Sequence, residues 1–180
     1  MNFVSLKEDK SIFKDFKKLY KAAFPKEERV PLWPLKSKAL TQNSDLICVY
    51  EEKEFIGLLS LVYYADVVYV FYFAVDEKKR GGGYGGRILQ KLKDEFPDKK
   101  TGLNIEIPDG KSAKNEQRIK RKNFYLKNGF TECDFTMKER GVLFETLSSG
   151  GLFTREEFQN LMKNYFGPRV YRKYYEFPEN

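Results

Sequence analysis

Apolar and polar positions along the 180-residue chain repeat with a period that switches between two and about 3.6, and each switch marks an element. Asn2 to Leu6 reads as a short edge strand. Ser11 then caps a helix in which Ile12, Phe13, Phe16, Leu19, Tyr20 and Ala23 share one apolar face, ended by Pro25. Phe24 to Pro34 is a connector broken by three prolines, and Leu35 to Leu40 a second short helix. Leu46 to Tyr50 and Phe55 to Tyr63, joined by the charged turn Glu51-Glu52-Lys53-Glu54, read as a hairpin that leads through Ala65-Asp66 into a central strand. Leu103 to Ile107 returns as a strand after a helix. Lys114 to Phe130 is helical with a sparse apolar face of Ile119, Phe124 and Leu126, and Gly129 suits its C-terminal cap. Thr131 to Met137 and Gly141 to Leu147 form a closing hairpin, Ser148 to Gly151 a flexible hinge. Thr154 with Glu157 is a capping box for a helix carrying Phe158, Leu161, Met162 and Tyr165. Val170 to Tyr175 reads as a last strand or an interface segment.

The central strand, Val70 to Val75, carries the most informative transition. Five charged residues, Asp76 to Arg80, end it, and Gly81-Gly82-Gly83-Tyr84-Gly85-Gly86 follows. From Tyr84 the pattern is helical, with Ile88, Leu89, Leu92 and Phe96 on one face until Pro97. A strand, a glycine turn and a helix start make an anion site, because first-turn N–H groups point outward and glycine admits phosphates close to the backbone. Arg80 and Arg87 bracket the turn with positive charge. A P-loop would need Gly-Lys-Ser/Thr, where this chain has Gly86-Arg87-Ile88. The spacing of Gly81, Gly83 and Gly86 satisfies a dinucleotide fingerprint literally, but several strands precede it and five charged residues separate it from its strand.

Composition narrows the chemistry. Hydrophobic residues make up 41% and charged residues 33%, as in a soluble globular protein, and the length suits one domain. The absence of histidine excludes Ser-His-Asp triads, Cys-His pairs and the usual zinc sites. A general base must therefore be a carboxylate, lysine, tyrosine or held water. Cys48 and Cys133 read as buried thiols of a reducing cytosol, with no metal and no signal or spanning segment expected. The net charge of +7 favours an anionic partner without choosing one.

Arg80-Gly81-Gly82-Gly83-Tyr84-Gly85 resembles the coenzyme A pyrophosphate loop, Arg/Gln-x-x-Gly-x-Gly/Ala, of the GCN5-related N-acetyltransferases (GNAT). Tyr125 followed by Gly129-Phe130 is similar to that family's Tyr-x-x-x-Gly-Phe signature, in which the tyrosine reaches the coenzyme's sulfur. The resemblance covers about Leu46 to Phe130, the coenzyme-binding core (46–130) of a single domain spanning 1–180, with a helical and strand extension over 148–180. It implies an α/β fold with a mixed sheet, whose strand before the glycine loop splays from the strand after the crossover helix. Pantetheine would lie in that gap along the backbone of Phe73, Ala74 and Val75, and Arg80, Gly81, Gly82, Gly83, Tyr84, Gly85 and Gly86 would hold the pyrophosphate. The family often has Asn seven residues before the tyrosine. Here that position is Arg118, so Arg118 and Asn115 are both candidate coenzyme contacts.

The resemblance implies direct acetyl transfer from acetyl-CoA, as cosubstrate, to a primary amine of a small molecule or peptide. Tyr125 is the candidate acid and Glu106 the candidate base, directly or through water; a strand-end carboxylate in solvent is the other reading of Glu106. Glu27 and Glu28, on the proline-bounded connector, are candidate acceptor contacts or simply solvated charges. Two other classes compete: a coenzyme A-binding regulator without catalysis, and a basic nucleic-acid module built on Arg118, Lys120, Arg121, Lys122 and Lys127. A solvated helix face explains those charges more simply, so nucleic acid is not the expected partner. A homodimer stays open.

Overall fold

A computed structural model of the protein describes residues 1–178, so the last two residues of the C-terminal extension lie outside the described residues. It comprises two compact units, Met1–Tyr63 with Val70–Asp94, and Tyr64–Tyr69 with Glu95 onward. Among the described residues no helix is long and apolar enough to cross a membrane.

The first unit holds strands β1 (Asn2–Ser5), β2 (Ser44–Glu51), β3 (Glu54–Tyr64) and most of β4 (Val67–Val75), in the order β1-β2-β3-β4. β1 and β2 are antiparallel, as are β2 and β3. Helices α1 (Phe13–Ala23), α2 (Leu32–Ala39) and α3 (Tyr84–Glu95) complete the unit. α1 is preceded by a 3₁₀ turn, Lys10–Ile12, whose first amides are capped by Asp9 rather than Ser11: the Asp9 carboxylate accepts from Ser11 N–H at 2.8 Å. α2 begins three residues before the expected Leu35, because Pro34 falls in its first turn, where no intrahelical N–H is needed. The core packs Leu6, Ile12, Phe16, Leu19 and Tyr20 against Leu46, Cys48, Leu58 and Tyr72. Tyr72 meets the Tyr20 ring edge-on, with centroids 4.8 Å apart.

The second unit holds β5 (Lys100–Glu106), β6 (Thr131–Glu139), β7 (Val142–Ser149) and β8 (Tyr175–Glu176), with α4 (Asn115–Lys127), α5 (Arg155–Phe166) and α6 (Pro168–Tyr174). The start of β4 belongs here, and the strand order is β4-β5-β7-β6-β8. β4 pairs parallel with β5 through Val67↔Lys100, Val68↔Thr101 and Tyr69↔Gly102, giving the expected strand–helix–strand connection. Gly102 lets Phe153 lie on β5, since a Cβ there would stand 2.5 Å from the ring. Phe153, Phe158, Phe135 and Tyr69 then form an aromatic core.

Three expectations about this unit need correcting. Ser148–Gly151 is a packed turn and not a hinge: Ser148 is buried, and its hydroxyl donates to the Gly151 carbonyl at 2.8 Å. The tail is a helix, α6, with Pro168 at its first turn, and only Tyr175–Glu176 pair as a strand. On α4, Ile119 and Leu126 are exposed and Tyr125 is the buried residue. The Thr154–Glu157 capping box is present as expected, with Phe158, Leu161, Met162 and Tyr165 buried.

Candidate active site

The glycine turn lies in the first unit. After β4, Asp76 caps a 3₁₀ turn by accepting from Lys78 N–H at 3.0 Å. Gly81 and Gly83 follow at φ +81° and +75°, and a Cβ on either would point into open space. Backbone conformation, not crowding, therefore requires glycine at both, and the surface beside them stays open to a ligand. α3 starts immediately, its first bond running from Arg87 N–H to the Gly83 carbonyl at 3.2 Å. The amides ahead of Arg87 have no acceptor within the helix and carry the positive end of its dipole. Phe73 and Val75 are half-buried and Ala74 buried. β3 reaches them closely, because a Cβ at Gly57 would stand 2.5 Å from the Ala74 carbonyl oxygen.

The two arginines beside the turn are engaged differently from each other. Arg80 Nε donates to the Val75 carbonyl at 3.2 Å, folding the side chain back over the strand end. Arg87 grips Glu51 with both terminal nitrogens, and these hydrogen bonds hold the Glu51 carboxyl below its usual range. The positive charge expected of Arg87 at the turn is thus matched by a carboxylate.

Also in the first unit, Glu27 and Glu28 are exposed in a 3₁₀ turn, Lys26–Glu28. Sequence reasoning missed what holds this connector. The Tyr72 hydroxyl donates to the Glu28 carbonyl at 2.9 Å and accepts from Val30 N–H at 3.0 Å. Tyr20 donates to the Val30 carbonyl at 2.9 Å. Two core tyrosines thereby fix the backbone that carries both carboxylates. Nothing local signals this, because Tyr72 lies more than 40 residues further along the chain.

The second unit holds the remaining candidates. Glu106 ends β5 and is ion-paired to Arg118 of α4, whose other terminal nitrogen bonds Asp109 at 2.7 Å. Asp109 also accepts from Lys111 and Ser112 N–H, and these backbone bonds, with Arg118, hold its carboxyl far below the usual range. Asn115 accepts from Gly110 N–H at 2.9 Å. Arg118 and Asn115 are thus brought together with Glu106 in one network that orders the loop from β5 to α4. Tyr125 stands apart from it on α4, packed against Phe124 and Phe130. Burial pushes its phenol up to about 12, against the opposing charge of Arg121. The ring therefore stays protonated at neutral pH. Among the described residues no cluster of His, Cys, Asp or Glu is arranged to hold a metal ion.

Residues 42–132, just over half of the 180, match the family model of the acetyltransferase (GNAT) domain. The chain belongs to the GNAT acetyltransferase family. The matched span runs from before β2 to the start of β6 and so contains the glycine turn, Glu106 and Tyr125. A comparison with curated proteins finds no match. Solved GNAT structures share the fold. A GNAT-family protein from Bacteroides thetaiotaomicron is 23% identical, with TM-score 0.78 over 93% of this chain and 99% of its own. The ribosomal-protein-S18-alanine N-acetyltransferase of Escherichia coli is 17% identical, with TM-score 0.61 over 86% and 96%. An aminoglycoside 6'-N-acetyltransferase complexed with coenzyme A is 13% identical, with TM-score 0.63 over 83% and 96%. At these identities the likeness speaks for the α/β fold with its mixed sheet, and GNAT membership rests on the matched domain.

Proposed function

We propose that the protein is an acetyl-CoA-dependent N-acetyltransferase acting by direct attack of a primary amine on the thioester. The glycine turn carries this reading: positive φ at Gly81 and Gly83, open space beside both, and a helix start directly behind them. A pyrophosphate fits that arrangement, since unpaired amides supply donors and the missing side chains let its oxygens approach. Arg80 to Gly86 are assigned to the pyrophosphate, and the backbone of Phe73, Ala74 and Val75 to the pantetheine arm. Asn115 and Arg118 are assigned to ordering the loop after β5 rather than to the coenzyme, because the Asn115 side-chain oxygen and both terminal nitrogens of Arg118 are already engaged there.

The acetyl group moves in one step. The amine nitrogen forms a bond to the thioester carbonyl carbon, the carbon–sulfur bond breaks, and the electron pair leaves on sulfur. The amine must shed a proton and the thiolate gains one. Glu106, oriented by Arg118, takes the first through water, and Tyr125 supplies the second. The phenol is protonated at neutral pH with or without the shift, and burial, by raising its value to about 12, makes it a weak acid that acts mainly by donating a hydrogen bond to the departing sulfur. Glu27 and Glu28 recruit the amine, which favours a cationic acceptor such as a polyamine, an aminoglycoside or a peptide amine.

A thermal melt with acetyl-CoA tests the reading. At 100 times the dissociation constant the ligand stabilises the fold by about 2.7 kcal/mol. That is roughly 5–10 °C for a chain of this size. Gly83→Val is expected to abolish the shift. A valine at positive φ also strains the backbone, so Gly141→Val serves as control: φ there is +82° with open space around it, on the β6–β7 turn. Loss of the shift in both variants, or in neither, overturns the assignment of the turn.

A further inference from the structure

The outer face of α1 carries charge that the acetyltransferase reading does not use. Lys14, Lys17, Lys18 and Lys21 of α1, with Lys10 from the 3₁₀ turn before it, fall within an arc of about 100° on a helix of 3.6 residues per turn. Lys36 of α2 joins them, its ammonium 4.4 Å from the centre of the Phe13 ring. Together the six line a concavity of about 560 Å³, and none of the residues lining it is acidic. Among the described residues none of the six has an ion-pair partner, whereas Lys79, Lys100, Lys120 and Lys122 are each paired with a carboxylate. The six are among the 33 lysines and arginines of a chain whose net charge is +7.

The neighbouring acids do not neutralise this ridge. Asp9 is spent capping Ser11 N–H, and Glu8 accepts from Ser5 N–H. Asp15, the acid within α1, accepts from the Tyr50 hydroxyl at 2.9 Å and lies over 100° round the helix from the middle of the ridge. Lysines one turn apart stand about 6 Å from each other, inside the Debye length of about 8 Å at physiological salt, so they repel. A partner that brings a row of negative charges relieves that repulsion and releases the counterions held there.

We propose that this trough binds single-stranded nucleic acid. The lysine row extends about 16 Å along the helix, at 1.5 Å per residue from Lys10 to Lys21, and so can follow a phosphate backbone. On α2, one turn before Lys36, the protein's single tryptophan, Trp33, is 81% exposed, and its indole offers a base a stacking surface. A bilayer fits less well. The apolar side of α1, Ile12, Phe16, Leu19 and Tyr20, is committed to the core and has nothing to insert. The proposal rests on α1 and α2 alone and is independent of coenzyme binding. It reverses the sequence expectation, which weighed nucleic acid only against the charges of α4.

The test is fluorescence anisotropy of a labelled 20-nucleotide oligo-dT strand with the full chain at several salt concentrations. Affinity is expected to fall with salt with a slope of roughly −3 to −4, for five or six phosphates neutralised at about −0.7 each. Lys14→Gln/Lys17→Gln/Lys21→Gln is expected to weaken binding more than tenfold and flatten the slope by about 2. The α4 control, Lys120→Gln/Arg121→Gln/Lys127→Gln, should bind like the parent. Intrinsic fluorescence from Trp33 should be quenched on binding, and Trp33→Ala should weaken affinity without altering the salt slope. All six lysines but Lys36 are exposed, and the variants are expected to fold, which circular dichroism checks. No binding by the parent, or equal loss in the α4 control, overturns the proposal. So does lysine-dependent binding to phosphatidylserine vesicles without binding to the oligonucleotide, which would make the ridge a membrane contact.

Discussion

Replacing Tyr72 by Phe tests the connection between the core of the first unit and its acidic connector. The substitution leaves the ring, and with it the edge-on contact to Tyr20, in place. It deletes one hydroxyl that makes two hydrogen bonds, to the Glu28 carbonyl at 2.9 Å and from Val30 N–H at 3.0 Å. Tyr72 is buried, Val30 is half-buried and Glu28 exposed, so water can replace the partner of Glu28 more readily than that of Val30. At about 0.5–1.5 kcal/mol for each bond the loss is about 1–3 kcal/mol, with the upper half favoured by the stranded Val30 amide. For a chain of this length each kcal/mol lowers Tm by roughly 2–4 °C, so a drop of about 4–12 °C is expected. Tyr20→Phe, which removes the bond to the Val30 carbonyl at 2.9 Å, should cost less. The two effects should not add, since both tyrosines hold the same residue.

The same variant separates structure from function. With the connector released, the Michaelis constant for the amine is expected to rise about three- to tenfold, while that for acetyl-CoA and the turnover number hold steady. A Tm within 1 °C of the parent would refute the energetic reasoning. A large fall in Tm with no change in the amine's Michaelis constant would show that the connector is a structural strap and that Glu27 and Glu28 do not meet the acceptor.

Other perturbations reach the remaining assignments. Glu27→Gln with Glu28→Gln should raise the amine's Michaelis constant and leave that of acetyl-CoA alone, and added salt should mimic the effect on the parent; an anionic preferred acceptor would refute it. Gly57→Ala puts a methyl 2.5 Å from the Ala74 carbonyl, backbone that cannot rotate away; about 1–3 kcal/mol should be lost in urea unfolding and acetyl-CoA should bind more weakly, whereas unchanged affinity would uncouple the strand end from the coenzyme. Tyr125→Phe should cut turnover by roughly 10²-fold with the acetyl-CoA Michaelis constant unchanged. Its phenol also links stability to pH. With a folded value of about 12 against an ordinary 10.0, the fold carries no ionisation penalty below pH 10 and loses stability as pH rises from 10 towards 12, by a few kcal/mol on the order set by the shift. The parent should therefore lose stability relative to Tyr125→Phe, which does not titrate, as pH rises above 10 in alkaline urea titrations, and a constant difference from pH 8 to 12 would refute the raised value.

Features whose cause lies within a few residues were legible before the fold was known. The glycine turn could be read because positive φ at Gly81 and Gly83 leaves few alternatives to glycine, and the start of α3 follows from the apolar spacing of Ile88, Leu89 and Leu92. The Thr154–Glu157 box is likewise closed between residues three apart. Illegible were the contacts that the fold makes over distance. Arg118 reads in the sequence as a candidate coenzyme contact, and only the return of the chain after β5 sets it against Glu106. Val170 to Tyr175 reads as a last strand or an interface segment, but Gly167 and Pro168 begin a helix there, and Tyr171 stacks on Tyr175.

α1 shows that legibility also depends on which half of a pattern is read. The spacing of Ile12, Phe16, Leu19 and Tyr20 predicted a core helix, and the structure buries all four. The same period also runs through Lys10, Lys14, Lys17 and Lys21, and the apolar face alone says nothing of what they do. On most helices such a row is solvated surface, because exposed lysines cost little and pair with nearby acids. That account fails here for a reason the sequence does not contain. Folding directs Asp9 and Asp15 onto Ser11 N–H and Tyr50, and brings Lys36 beside Phe13 from the next helix. The basic face is thereby left without counter-charges of its own, and electrostatics then demands either a standing repulsion or an anionic partner. Neutralising the ridge with Lys→Gln changes discriminates between these: with no partner present, relief of like-charge repulsion should leave the melting temperature unchanged or raise it slightly, and a fall of several degrees would mean that the lysines are tied into the fold by their stems.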